Sequence, residues 1–279
     1  MDTPTAVSVA DHFAELDDPR VERTRLHSLH DMLVIAICAI ICSCDDWVSI
    51  EEFGNAKLDW FKKFLKLPNG IPSHDTFGRV FAAINPEAFA KCFAGWIASV
   101  ADVTEGEVVA IDGKTLRRSF DRASAKAAIH MVSAWAASNR LVLGQVKTED
   151  KSNEITAIPK LLDVLAIEGC IVTIDAMGCQ RDIAAKIVER GADYVLGLKG
   201  NQPTLHANVE AYFREALKAD FGKTKHDYFE ERSAGHGRKE LRRVWCTSDL
   251  SWFDERDTWR KLTSIGMVES TRTCDGKTT

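Results

Sequence analysis

With 279 residues, 45% of them hydrophobic and 28% charged, the chain has the size and composition of one large globular domain or two smaller ones. A formal net charge of −5 excludes indiscriminate nucleic-acid binding over the whole surface and leaves local basic patches as the only route to DNA. No basic region followed by an apolar stretch opens the sequence, and the apolar run at residues 32–42 is eleven residues long, too short to span a bilayer, so a buried core helix and no membrane partner are expected.

In chain order, residues 1–24 are polar, with an amphipathic hint at His12 to Leu16. A first helix is predicted over 28–43, with His27 and His30 as its polar start. A second spans 48–65, with Ile50, Phe53, Leu58, Phe61, Phe64 and Leu65 as its apolar set. Residues 67–72 (LPNGIP) break it. Ser73 starts a short helix carrying Phe77, Val80 and Phe81. Pro86, at a favoured first helical position, starts another, with Phe89, Phe93, Trp96 and Ile97 on one core-facing stripe. Residues 1–102 therefore read as a helical domain.

The pattern changes near Val103. Strands are predicted at 108–112, 129–137 and 141–147, with Asn139 suited to the hairpin turn. Ser152 or Asn153 caps a helix running to about 167. A strand at 171–175, a helix at 179–190, a strand at 194–198 and a helix at 203–218 follow. This order predicts an α/β domain with a mixed sheet and helices on its faces. Beyond residue 225 the chain turns β-rich, with strands expected at 228–232, 241–246 and 262–269. Eight cysteines form neither CxxC pairs nor a Cys/His ligand set. They are expected to be buried thiols of a reducing compartment, which makes the location cytoplasmic.

Asp112 ends one apolar, β-branched strand and Asp175 ends another. Two buried strands delivering carboxylates at one edge can share a divalent ion. Magnesium favours such oxygen ligands, completed by substrate phosphates, and manganese is expected to substitute. The chemistry suggested is metal-dependent phosphoryl transfer.

A βββαβαβ order with acids on the first and fourth strands is the arrangement of the ribonuclease-H-like fold. Longer words resemble one group within it. Residues 11–20 (DHFAELDDPR), 67–77 (LPNGIPSHDTF), 111–117 (IDGKTLR), 151–157 (KSNEITA) and 197–202 (GLKGNQ) are similar to the ISAs-type insertion-sequence transposases, also called H-repeat-associated proteins. The resemblance implies a helical transposase-associated domain at 1–102 and a DDE catalytic domain at 103–279, with 225–279 a β-rich insertion. It implies Asp112 and Asp175 as the first two catalytic acids and metal ligands. It also implies strand cleavage and strand transfer on insertion-sequence ends and target DNA; a homo-oligomer is left open. The family's third acid lies in a Trp-x-Ile-Glu-Asn word that these residues lack, so the chain is expected to be C-terminally truncated and inactive.

Glu154 is a further metal candidate, because ribonuclease H enzymes carry an acid on the corresponding helix; its other reading is a helix-start glutamate favoured by the macrodipole. Glu240 is assigned to the β-rich insertion instead. Lys114, Arg117, Arg118, Arg122 and Lys126 form a basic cluster after Asp112, suited to phosphates beside the scissile bond. Arg238 and Lys239, in the basic run 232–243 with His236, Arg242 and Arg243, are expected to track a DNA strand. Lys199 and Gln202 are expected to touch substrate. Two rivals stand beside the transposase reading: a non-catalytic DNA-binding remnant or regulator, and a ribonuclease-H-like nuclease.

Overall fold

The structure is a computed structural model that describes residues 9–100, 105–116, 129–138, 141–148, 154–222, 224–235, 238–274 and 277–278. Contacts divide the chain into two compact units. One holds Met1–Asp102, Asn139–Gln145 and Val164–Ala166; the other holds Val103–Ser138, Val146–Asp163 and Ile167–Thr279.

Local signals set the helices of the first unit. Ser28 caps α2 (Leu29–Ile41), following the short α1 (Val9–His12). Asp46 opens α3 (Trp47–Ala56) with a reciprocal box: its carboxylate accepts from the Ser49 backbone N–H, and its own N–H donates to the Ser49 hydroxyl. Ser73 caps α5 (His74–Ala83), and Asn85 accepts from the backbone of Glu87 and Ala88 ahead of α6 (Pro86–Val100). Met32, Leu33, Ile35, Phe61 and Phe77 fill the core between these elements.

The single helix expected over 48–65 is instead broken at Lys57. There the backbone leaves helical geometry (φ −110°, ψ 14°), and a separate turn of helix, α4 (Leu58–Phe61), begins. The expectation of a wholly buried helix over 32–42 also needs correction, because Ile40 and Ile41 are exposed at the end of α2.

Two words of the sequence act here as braces. Arg20 pairs with Asp18 at 2.7 Å and donates to the His27 carbonyl at 2.8 Å. Burial raises the Asp18 pKa, but hydrogen bonds and charge from Arg20 outweigh it and hold the carboxyl below its ordinary value. Asn69, in the turn after the helices, donates to the Leu26 carbonyl.

A five-stranded mixed sheet has the order β3-β2-β1-β4-β5; it belongs to the second unit except for Leu141–Gln145 of β3, which cluster with the first. Its strands are β1 (Val108–Thr115), β2 (His130–Ala136), β3 (Leu141–Thr148), β4 (Ile171–Ile174) and β5 (Asp193–Leu196). β1 runs antiparallel to β2 and parallel to β4, and β4 runs parallel to β5. Helices α7 (Glu154–Val164), α8 (Arg181–Glu189) and α9 (Pro203–Lys218) alternate with the later strands. Val109, Ile111, Val172 and Ile174 are buried, as are Leu161, Leu162, Ile183 and Ile187 of α7 and α8.

A second, antiparallel sheet follows: β6 (Asp227–Gly235), β7 (Arg238–Thr247), β8 (Ile265–Cys274) and β9 (Lys277–Thr278). Phe213 and Ala216 of α9, with Phe221, pack with Trp245, Ile265 and Met267 of this sheet. The segment between β7 and β8 adds Phe253 and Trp259 to a cluster with Cys179, Ala184, Tyr194 and Leu196.

Among the described residues, no helix is long and apolar enough to cross a membrane. The cysteines depart from expectation: Cys170 and Cys179 are buried, whereas Cys42 and Cys274 are exposed.

Candidate active site

Register places the two aspartates. In the parallel pair, Ile111 of β1 lies opposite Ile174 of β4. Both isoleucines are buried, at 3% and 6% exposure. The next residue on each chain is an aspartate, and alternation turns it to the opposite face from its isoleucine. Asp112 and Asp175 are accordingly exposed on adjacent strands about 4.8 Å apart; Asp175 directly follows β4, whereas Asp112, expected to end its strand, lies within β1, which runs on to Thr115. On its other side Asp112 pairs in register with Ser133 of β2. Lys114, two residues along β1, shares the Asp112 face and is exposed.

Asp175 is held by its surroundings. One carboxylate oxygen accepts from the Met177 N–H at 3.0 Å, opening the helical turn Ala176–Gly178. The second oxygen remains available for a ligand. The Gly197 N–H donates to the Ile174 carbonyl at 2.9 Å, carrying the parallel ladder past the end of β5. A Cβ at Gly197 would stand 3.2 Å from the Ala176 nitrogen and 3.4 Å from the Asp175 carbonyl carbon. Glycine is needed there because the two backbones approach so closely. Asn201 donates to the Ala176 carbonyl, and the Gln202 amide donates to the Cys179 carbonyl at 3.0 Å. Gln202, expected to touch DNA, therefore spends its amide on the loop behind Asp175. Lys199, from the same word, is exposed.

Glu154 occupies a different place from the aspartate pair. It opens α7, is buried, and meets His130 Nε2 at 2.5 Å. His130 Nδ1 lies 2.9 Å from the Thr115 hydroxyl. With a carboxylate at Nε2, that nitrogen donates, and in the neutral ring Nδ1 accepts from Thr115. A Cβ on Gly113 would fall 2.3 Å from Glu154 Oε1 and 2.9 Å from His130 Nε2, so the Glu–His pair lies directly over Gly113. Gly113 and Asp112 alternate along β1, which puts Glu154 and Asp112 on opposite faces of the strand. The metal role expected for Glu154 thus meets a carboxylate already committed to His130. Among the described residues, no group of three or more His, Cys, Asp or Glu is placed to hold a metal ion. Sequence reasoning missed His130; nothing in a strand-opening histidine signals a partner twenty-four residues away.

The basic run 232–243 is largely neutralised in place. Glu240 pairs with Arg238, Arg242 and Arg272, and Glu230 pairs with Arg232 and Arg243. Hydrogen bonds from Tyr228, then Arg232 and Arg243, pull the Glu230 carboxyl down to about 2. Arg232, Arg238 and Arg242 each pair with a glutamate two residues away on their own strand, and Arg243 bridges to Glu230 and Glu269 on the neighbouring strands, so these arginines are not the unpaired basic track expected from the sequence. Lys239 is exposed and takes part in none of these pairs. Glu240 sits in β7, as expected, wrapped by arginines. Arg117, Arg118, Arg122, Lys126 and His236 lie outside the described residues.

Comparison with known proteins now gives this geometry a family. Residues 104–259 match the family described as Transposase DDE domain, and residues 10–97 match the one described as DDE_Tnp_1-associated. The chain belongs to the DDE transposase family. It is 43% identical over 269 residues to an "Uncharacterized protein in dhlA 3'region" of Xanthobacter autotrophicus, covering 95% of this chain and 89% of that one. It is 48% identical over 235 residues to a "Putative transposase YncI" of Escherichia coli O157:H7, covering 84% of this chain and 60% of that one. It is 41% identical over 263 residues to the "H repeat-associated putative transposase YhhI" of Escherichia coli K12, covering 94% of this chain and 69% of that one. The H-repeat-associated resemblance read from the sequence is thereby confirmed. DDE transposases are as a family generally dependent on a divalent metal.

Proposed function

We propose that this chain carries the catalytic aspartates of a metal-dependent DNA transposase, with Asp112 and Asp175 as ligands of a shared Mg²⁺, for which Mn²⁺ can substitute. In this reading residues 103–279 form the ribonuclease-H-like catalytic domain and residues 1–102 the associated helical domain. One observation carries the reading: two exposed carboxylates, each directly after the paired Ile111 and Ile174 of adjacent parallel strands. The donor set fits a hard divalent cation, because it is all oxygen, and such ions bind through one or two carboxylates plus substrate phosphates.

When bound, the metal would supply Lewis-acid stabilisation of the phosphoryl centre and an activated oxygen nucleophile. The chain's own residues do the rest. Asp112 and Asp175 hold the charge at the sheet edge. Lys114, on the same face, neutralises a substrate phosphate. Gly197, Asn201 and Gln202 fix the backbone that aims Asp175. The site uses no side chain as a nucleophile, so no covalent protein–DNA intermediate forms. Hydrolysis at the element end frees a 3′-hydroxyl, which then attacks target DNA. Because two carboxylates and no third share this edge among the described residues, residues 1–279 by themselves should bind metal weakly and cleave poorly.

Electron paramagnetic resonance of free Mn²⁺, titrated into the chain with duplex DNA, tests the assignment. Binding should be lost in Asp112→Asn and in Asp175→Asn, and at most weakened in Glu154→Gln. Unchanged Mn²⁺ binding in both aspartate variants would remove the basis of the proposal.

A further inference from the structure

The helical unit carries an aromatic pair that its core does not use. Trp60 and Phe64 are 46% and 53% exposed. Their ring centroids lie 4.8 Å apart, edge to face at 81°. Both rest on Phe61, which is fully buried, at 4.9 Å and 5.9 Å. The helix break at Lys57 produces this arrangement: it re-aims α4 so that Phe61 enters the core while its neighbours face out. A side chain anchored through a buried ring is held still, so the exposed pair forms a firm platform.

Lys57, Lys62, Lys63 and Lys66, all exposed, flank the two rings closely in sequence. None of the four forms an ion pair among the described residues. The only acid in the same stretch is Asp59, so this segment is strongly cationic within a chain of net charge −5. Lysine is depleted at protein–protein interfaces, whereas aromatic rings interleaved with cations are the chemistry of single-stranded nucleic-acid binding.

We propose that Trp60 and Phe64, flanked by Lys57, Lys62, Lys63 and Lys66, form a binding site for unpaired DNA, with bases stacking on the rings and phosphates meeting the lysines. This deepens the transposase reading and rests on it, since cleavage and strand transfer create strands with unpaired ends. A fully paired duplex hides its base faces and offers the platform only phosphates.

Fluorescence anisotropy with a short labelled oligothymidine and a blunt duplex of the same length, at several salt concentrations and using the full chain, tests the site. Trp60→Ala/Phe64→Ala should weaken single-strand binding by about tenfold or more, as loss of base stacking implies. Duplex binding should change by less than about twofold, because paired bases offer the rings no stacking face. Replacing the four lysines by serine should flatten the single-strand salt dependence by about 0.7 per lysine. The lysines are exposed, about half of each ring is exposed, and Phe61 is untouched in every variant, so the fold should hold, which circular dichroism of each variant checks. Unchanged affinity in both variants overturns the proposal. So does an equal loss on blunt duplex, or sedimentation showing that the wild type self-associates through the patch and the aromatic variant does not. Mn²⁺ binding at Asp112 and Asp175 is read separately, so failure of the platform and failure of the metal site are distinguishable.

Discussion

Replacing Gly113 by alanine probes the geometry beneath the candidate site directly. The added Cβ would fall 2.3 Å from Glu154 Oε1, so the carboxylate must retreat by roughly 1 Å to reach ordinary contact. That motion is not free. The same oxygen bonds His130 Nε2 at 2.5 Å, and a retreat of that size takes the pair to the limit of a hydrogen bond. Both side chains are nearly dry, at 4% and 9% exposure, so water does not replace the lost partner. Overpacking alone costs about 1–3 kcal/mol. Stretching the buried hydrogen bond to the carboxylate adds about 1.5–3 kcal/mol. Together the two effects should make Gly113→Ala destabilise the sheet by roughly 3 kcal/mol.

A double-mutant cycle isolates the cause. With Glu154→Ala the obstruction is gone, and alanine at 113 should cost almost nothing or add about 0.4–1 kcal/mol by restricting the unfolded chain. The coupling should be roughly 2–3 kcal/mol, well outside the ~0.5 kcal/mol expected of independent sites. Hydrogen exchange of the β1 and β2 amides is the suitable readout, because unfolding of the helical unit does not enter it. Additive effects of the two substitutions would refute the placement of Glu154 over Gly113. They would also reopen a metal role for that carboxylate.

Other consequences are as direct. Gly197→Ala should push the Asp175 backbone by a few tenths of an ångström, and Mn²⁺ titration should show roughly tenfold weaker binding with the sheet still folded. Cys179, whose thiol burial pushes up to about 11, should carry about one part in a thousand of thiolate at pH 8. In maleimide labelling followed by mass spectrometry, the exposed Cys42 and Cys274 should be modified well before it. Glu230 has a depressed pKa, so its contribution is present above its ordinary 4.5 and is lost as pH falls toward about 2. Denaturant midpoints should therefore place Glu230→Gln below wild type at pH 7, with the gap closing across that acid window.

Most of the fold was legible because its signals are local. Ser73, Pro86 and the β-branched runs at 108–112 and 171–174 announce their elements by cap, ring or branching, and the structure begins or ends those elements within a few residues of expectation. The aspartate pair was legible for the same reason, since each follows an apolar, β-branched run, although β1 continues past Asp112 to Thr115. What escaped depends on distance along the chain. Glu154 meeting His130, and Glu240 meeting Arg272, are partnerships fixed by register and helix placement. The break at Lys57 escaped because lysine is a good helix former, and only the packing of Phe61 shows which way the chain must turn.

The recurring sequence words divide into those that act and those that hold. Asp18 and Arg20 brace the start of the helical unit, Asn69 ties a turn to Leu26, and Glu154 caps a buried pair under β1. Asn201 and Gln202 spend their amides on carbonyls behind Asp175. The word around Asp112 exposes a carboxylate for which the described residues show no structural task. A metal site of two exposed acids has little intrinsic rigidity, because the exposed Asp112 side chain and the second oxygen of Asp175 face solvent. Its precision must then come from the backbone behind it. On the Asp112 side that backbone rests on Gly113 and the pair above it; on the Asp175 side it rests on Gly197 and the amides. Substitutions in these holding words should therefore lower metal affinity through misplacement, while substitutions at Asp112 or Asp175 remove ligands outright. Stability and Mn²⁺ binding measured together separate the two: the holding variants move both, and the aspartate variants move binding alone.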